Sequence, residues 1–405
     1  MSFKGVFVAA ACGASMLACS AILGLQEPTV DDTIEGGTPD SGGGDTGGGG
    51  DTGGGDVAVD SACGADLQTD PANCGTCGHD CLGGACSAGV CQPALVANST
   101  SIGPYAMVLS GTTLYFTNTR GSQLASVWSI DKTATNGSPT ELADYGSGYT
   151  TPIVSGLPLG IAVQGNYFYV SLYANGGENG NWEAGIDRCP LTGCTTKTIA
   201  YYGINSYAVV ASSTNVYFGQ DDFNDVASLQ KANPDLSGRT AFTTPANEVN
   251  GLAMDGSDLY YGTSDGVFHC AATCDATALT QGQSDDAELL ALDSKNVYFT
   301  STPFGDAYSV QSVSRSGGAP KTISTKPMQP FGVATDGTNV YFTDIGDTSN
   351  SQTGAVYVCP VAGCNGAEVQ LSNGAAAGDN PRPIVVDTNA IYWGTRGGHI
   401  WRLAK

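Results

Sequence analysis

The sequence predicts an all-β fold, a seven-bladed β-propeller, and three observations lead there. First, after residue 100 one unit recurs: a small apolar run, a short Gly/Asp/Asn turn, then a strand built on Tyr plus a second aromatic or apolar residue. Second, the Tyr of that strand appears seven times, at Tyr115, Tyr169, Tyr217, Tyr260, Tyr298, Tyr341 and Tyr392, with separations of 54, 48, 43, 38, 43 and 51 residues. That spacing is the period of a four-stranded propeller blade. Third, no Phe, Tyr or Trp lies between Val8 and Pro104, whereas all 18 Tyr and all 4 Trp come later, so the material for a large core begins near residue 100. A helical solenoid fails, because no long stretch carries a 3.6-residue apolar period. A two-sheet sandwich explains short strands but gives no reason for seven copies of one strand.

The chain has 405 residues, 38 Asp+Glu against 15 Lys+Arg, and a formal net charge of -23. Nucleic acid and anionic membrane surfaces need clustered positive charge to release counterions, so this balance argues against both as partners.

Taken from the amino end, residues 1–18 read as a lipoprotein signal peptide. Lys4 precedes the apolar run Gly5 to Leu17, which is too short to span a bilayer as a helix and has the length of a signal core. The stretch Met16-Leu17-Ala18-Cys19 resembles the bacterial lipoprotein processing box, with Met16 standing where Leu is usual. The resemblance implies that Cys19 is acylated and anchors the chain to a membrane. Ser20, in place of Asp, implies sorting to the outer membrane of a Gram-negative cell. The alternative is an ordinary signal peptide cut nearby.

Residues 19–61 read as a disordered Gly/Asp-rich linker. From Gln26 to Ser61 there are nine acidic residues and no basic one. Such a tract cannot offset its backbone entropy by burial, and its like charges extend it. The apolar position of a calcium-binding Gly/Asp repeat is absent.

Residues 62–92 read as a disulfide-rich module. In an exported chain, Cys63, Cys74, Cys77, Cys81, Cys86 and Cys91 are expected to form three disulfides among 15 possible pairings, because the segment has little apolar bulk to hold it together. Zinc or redox chemistry at Cys74-Gly75-Thr76-Cys77 is the alternative. Six later cysteines come as local pairs, Cys189 with Cys194, Cys270 with Cys274, and Cys359 with Cys364, each expected to pin a turn.

Residues 93–405 read as the propeller. The small first strands, such as Gly160-Ile161-Ala162-Val163 and Gly332-Val333-Ala334, suit a crowded central channel, and the larger second strands fill the space between sheets. Third strands follow, as at Val127-Trp128-Ser129-Ile130, and fourth strands are recognisable in six units, from Glu141-Leu142-Ala143 to Gln370-Leu371-Ser372. The seventh unit ends at Lys405 without one. Pro93-Ala94-Leu95-Val96-Ala97 is expected to supply that outer strand and close the ring, since a bare edge would be a liability.

The form Asp336-Gly337-Thr338-Asn339-Val340-Tyr341-Phe342-Thr343-Asp344 resembles the repeat of lipoprotein-receptor Tyr-Trp-Thr-Asp propellers and of virginiamycin B lyase-like propellers. Combined with Leu67 to Gly78 of the cysteine module, the order is similar to that of myxobacterial surface lipoproteins. Lyase activity does not carry over, because no catalytic His-and-acid set matches.

No nucleophile elbow and no metal-ligand spacing of His79, His269 and His399 is present. Catalytic residues, metal ligands and cofactors are therefore assigned as none, with Ca²⁺ as the one alternative for loop carboxylates. Candidate partner-binding residues lie in the loops from second to third strands, which share a face with the connections between blades: Tyr173, Trp182, Asp221, Asp222, Asp306 and Asp344. The expected function is that of an envelope or cell-surface lipoprotein binding a protein or saccharide through one propeller face. The alternatives are a hydrolase or lyase on an extracellular polymer, or a structural envelope component.

Overall fold

The computed structural model describes residues 63–120, 125–145, 156–174, 185–194, 200, 206–221, 227–245, 247–271, 274, 277–280, 287–302, 307–346, 354–372 and 380–405. They contain strands and turns and no helix. Seven antiparallel sheets follow one another along the chain, each ordered outward from its first strand. Blade 1 is Pro104–Ser110, Thr113–Asn118, Ser126–Asp131 and Thr140–Asp144. The first strands of blades 2 to 7 are Gly156–Gln164, Val209–Ala211, Gly251–Asp255, Ala287–Leu292, Pro330–Thr335 and Pro381–Val386. Successive first strands pack against one another around a central channel.

Ring closure occurs as expected. Ala94–Asn98 pairs antiparallel with His399–Ala404 and becomes the outermost strand of blade 7, opposite the chain's other end. Leu95 and Val96 also accept hydrogen bonds from the backbone N–H groups of Asn136 and Gly137 in blade 1. One difference concerns blade 2, which has three strands among the described residues. Of the expected fourth strand, 198 and 199 lie outside the described residues, and Ala200 makes a two-bond bridge to Ile186.

The recurring Tyr has a structural task. In blades 5, 6 and 7 the hydroxyls of Tyr298, Tyr341 and Tyr392 donate to Asp293, Asp336 and Asp387 in the turn five residues earlier, at 2.7, 2.9 and 3.2 Å. The other oxygen of each Asp accepts the N–H of Asn296, Asn339 or Ala390, which fixes the turn. Burial, reinforced by the adjacent aspartate, pushes these phenols above their ordinary value. The second aromatic, such as Phe342 or Trp393, is fully buried between blades.

All six disulfides form. The three local ones join Cys189 to Cys194, Cys270 to Cys274 and Cys359 to Cys364, each at the end of a third strand. The module pairs Cys63 with Cys77, Cys74 with Cys86 and Cys81 with Cys91. Cys74, Cys81 and Cys91 sit in one apolar cluster with Val358, Trp393 and Leu403, so the module is packed on blades 6 and 7. Arg402, 5% exposed, stitches this seam by donating to the carbonyls of Leu82 in the module and Lys132 in blade 1. Cys19, the signal peptide and the linker lie outside the described residues.

Candidate functional site

The channel encloses a cavity of about 630 Å³, to which every blade contributes one residue near the start of its first strand. In blade order these are Tyr105, Leu159, Tyr207, Asn250, Glu288, Phe331 and Pro383. Below them the wall is aliphatic, from Met107, Leu109, Leu290, Val333, Ile384 and Val386. We call this end the mouth. It lies on the face of the loops from second to third strands and of the connections between blades.

Backbone geometry sets the mouth. In blades 1, 2, 5, 6 and 7 the first strand loses register with its neighbour before the apolar run, between Pro104 and Met107, Pro158 and Gly160, Ala287 and Leu290, Pro330 and Val333, and Pro381 and Ile384. A bulge bends the strand and re-aims a side chain, and Pro is tolerated there because it has no N–H to lose from the ladder. The N–H groups freed by the bulge are not wasted. Those of Ala106, Gly160, Leu289 and Gly332 donate to Thr117, Ser171, Thr300 and Thr343 of the second strands, at 2.7–3.2 Å. Ser171 and Thr343 in turn donate to Tyr207 and Arg382 carbonyls of the next blade. Blades 3, 4 and 7 carry Gly219, Gly262 and Gly394 at this position, where an added Cβ would lie within 2.8 Å of the following blade's first strand or the residue leading into it.

Aromatic groups concentrate at the mouth. The Tyr105 and Phe331 rings meet edge to face, 5.1 Å between centroids, across the start of blade 7. The Arg382 guanidinium lies 5.6 and 5.5 Å from those two ring centroids. Burial pulls the Arg382 pKa down, helped by the like charge of Arg396, and burial raises that of the Tyr105 phenol against the pull of Arg382. Across the mouth, the Tyr207 ring is 5.4 Å from that of Tyr173. Burial pushes the Tyr207 phenol up, with Glu248, Tyr173 and Asp221 adding to it. On the same face, Tyr308 (37%) and Met328 (44%) are two of the three large hydrophobic residues exposed among the described residues.

The sequence-based candidates divide. Tyr173 reaches the mouth through Tyr207, and Asp221 is buried close enough to act on the Tyr207 phenol. Asp344 is turned inward: its carboxylate accepts the N–H groups of Met328, Gln329 and Gly346 at 2.9–3.1 Å, bracing the blade 5–6 connection. Trp182, Asp222 and Asp306 lie outside the described residues. Tyr105, Tyr207, Phe331 and Arg382 were missed. Their signal is a short phrase repeated before the apolar run: Pro104-Tyr105-Ala106-Met107, Pro158-Leu159-Gly160-Ile161, Pro330-Phe331-Gly332-Val333 and Pro381-Arg382-Pro383-Ile384. Its second residue lines the mouth in blades 1, 2 and 6; in blade 7 Arg382 takes that position and Pro383 lines the cavity, while Tyr207, which follows Ser206, falls outside the phrase.

Three cysteine-containing clusters have metal-ligand proximity among the described residues: Cys74, Cys81 and Cys91; Asp187, Cys189 and Cys194; and Cys359, Cys364 and Glu368. Every cysteine in them is in a disulfide, so none offers a thiolate.

No protein-family model matches the chain, and no curated protein matches it. Solved structures do. Virginiamycin B lyase from Staphylococcus aureus superposes with a TM-score of 0.54 at 14% identity, covering 78% of this chain and 98% of that one. YCF48 bound to D1 peptide gives 0.53 at 8% identity, covering 78% and 96%. At such identities the likeness is one of fold: this chain shares the β-propeller architecture of both.

Proposed function

We propose that the protein is a non-catalytic recognition module that binds a protein or saccharide through the mouth face, held at the cell envelope by acylation of Cys19. The observation that carries the reading is the gathering of aromatic and apolar groups on one face: Tyr105, Tyr173, Tyr207, Phe331, Tyr308 and Met328, drawn from five different stretches of chain. Aromatic side chains supply large contact areas at low entropy cost, which makes them frequent anchors of interfaces. The opposite face differs in kind. Its turns are spent on inter-blade ion pairs, Lys132 with Asp387 between blades 1 and 7 and Arg315 with Asp255 between blades 5 and 4, both at 2.6–2.7 Å. A peptide bound to the propeller YCF48 is consistent with this use of the fold.

Crosslinking on intact cells, followed by identification of co-purified material, tests the proposal. A specific partner is expected, lost in Cys19→Ala and weakened in the exposed-surface variant Tyr308→Ser/Met328→Ser. A partner that survives the surface variant unchanged would place recognition elsewhere.

A further inference from the structure

We propose that the mouth carries an anion seat centred on Arg382, built for a carboxylate borne on an apolar group. The inference deepens the recognition reading above by naming the ligand chemistry, and it rests on that reading.

Three of the chain's seven arginines converge where blade 7 meets blade 1: Arg120, Arg382 and Arg396. In a chain of net charge -23, each would be expected to find a carboxylate. Arg120 instead donates to the carbonyls of Ile102 and Gly397, at 3.4 and 3.0 Å. Arg396 is exposed and bonds through its backbone N–H to the Asn380 carbonyl. Arg382 is more constrained: among the described residues its guanidinium meets two aromatic rings and no acid, and its Nε is buried without a hydrogen-bond partner. A second buried polar atom without a partner, Asn380 Oδ1, lies two residues away.

A partly buried cation that lacks an anion is costly, and ring faces offset only part of that cost. The guanidinium fork matches a carboxylate bidentately, and its Nε and terminal nitrogens are unspent. What stands beside it narrows the ligand further. Tyr105 and Phe331 touch both the guanidinium and the cavity, and the wall below is Met107, Val333 and Ile384. Sugar hydroxyls would go unpaired against that wall, whereas an aliphatic or aromatic group fills it at no such cost. The acid Glu288, two blades away, accepts a hydrogen bond from Thr302 at 2.6 Å. The seat therefore suits a group with a carboxylate at one end and an apolar body, a description met by a free aliphatic acid and by the carboxyl end of an apolar peptide.

Calorimetric titration of the intact protein tests this with decanoate, decanol, inorganic phosphate, and a hexapeptide ending in Leu-Leu with a free or an amidated carboxyl end. We expect at least one carboxylate probe to bind about tenfold or more tightly than its uncharged counterpart, a difference of about 1.4 kcal/mol. That preference should vanish in Arg382→Met, which keeps the stem, and fall in the exposed Arg396→Gln, which leaves the core untouched. Preference for decanoate over decanol alone assigns a free acid as the source; preference for the free over the amidated peptide assigns a chain end. Equal binding of charged and uncharged probes, phosphate matching the carboxylates, or an unchanged Arg382→Met would overturn the seat. A crosslinked partner that persists when no carboxylate binds would leave mouth-face recognition standing and remove only this inference.

Discussion

Closure of the ring by Ala94–Asn98 can be tested at Val96. This side chain is fully buried, in a cluster that joins Met107, Leu114 and Phe116 of blade 1 to Tyr392 and Ile400 of blade 7. Val96→Ala deletes two methyl groups, worth about 1.6 kcal/mol in transfer free energy at about 0.8 per group. The cavity left behind adds to this, for a total of about 2–3 kcal/mol. At about 2 °C per kcal/mol for a domain of this size, the melting temperature should fall by about 4–6 °C. The control is Val216→Ala, which removes the same groups from an equally buried site inside blade 3. Differential scanning calorimetry should show comparable drops for the two variants, each in a single transition. Limited proteolysis of Val96→Ala should cut first near residues 92–98, because the loosened strand exposes the edge of blade 7. A Val96→Ala shift under about 1 °C beside a full shift for Val216→Ala would refute the reasoning: the strand would then lie outside the cooperative unit.

The Lys132–Asp387 pair, which spans the same seam on the opposite face, makes closure acid-sensitive. Burial opposes ionisation of Asp387, but the Lys132 ammonium and the N–H groups of Asn389 and Ala390 outweigh it and hold the carboxyl below the usual range. A depressed folded pKa gives stability that is present above the unfolded value of about 3.9 and lost as pH falls through the folded one, so Asp387→Asn should flatten the acid limb of a stability-versus-pH curve. Thr343→Val leaves the Gly332 N–H and the Arg382 carbonyl short of a partner and should cost about 1–3 kcal/mol in chemical denaturation, with Thr343→Ser restoring most of it. Gly262→Ala would set a Cβ 2.5 Å from the Ala287 carbonyl oxygen and should destabilise by about 1–3 kcal/mol, because backbone on backbone has no side chain to yield.

Much of the architecture was legible because it is written locally. In blades 5, 6 and 7 a Tyr whose hydroxyl reaches an Asp five residues back, as Tyr341 reaches Asp336, ties turn and second strand together within a window of about ten residues. The local disulfides were legible for the same reason, since Cys359 and Cys364 flank a single turn. The mouth was less so. Asp344 looked like a loop carboxylate available to a partner, yet its location at the end of a second strand turns it onto the backbone of the preceding connection. Arg382 stands between two prolines, and no window of sequence places it against Tyr105 and Phe331, 277 and 51 residues away.

The sequence by itself determined the seven blades, the strand that closes them and the turns that separate them. These follow from alternation and turn chemistry, which act between neighbours in the chain. Only the tertiary structure decided which of the 15 pairings the module adopts and which residues share the channel mouth. In five blades a bulge shifts the register of the first strand by one residue, which changes the side chain it presents, and ring closure then brings these positions together with those of the other two blades. Long-range convergence of that kind depends on backbone paths that composition and period leave open.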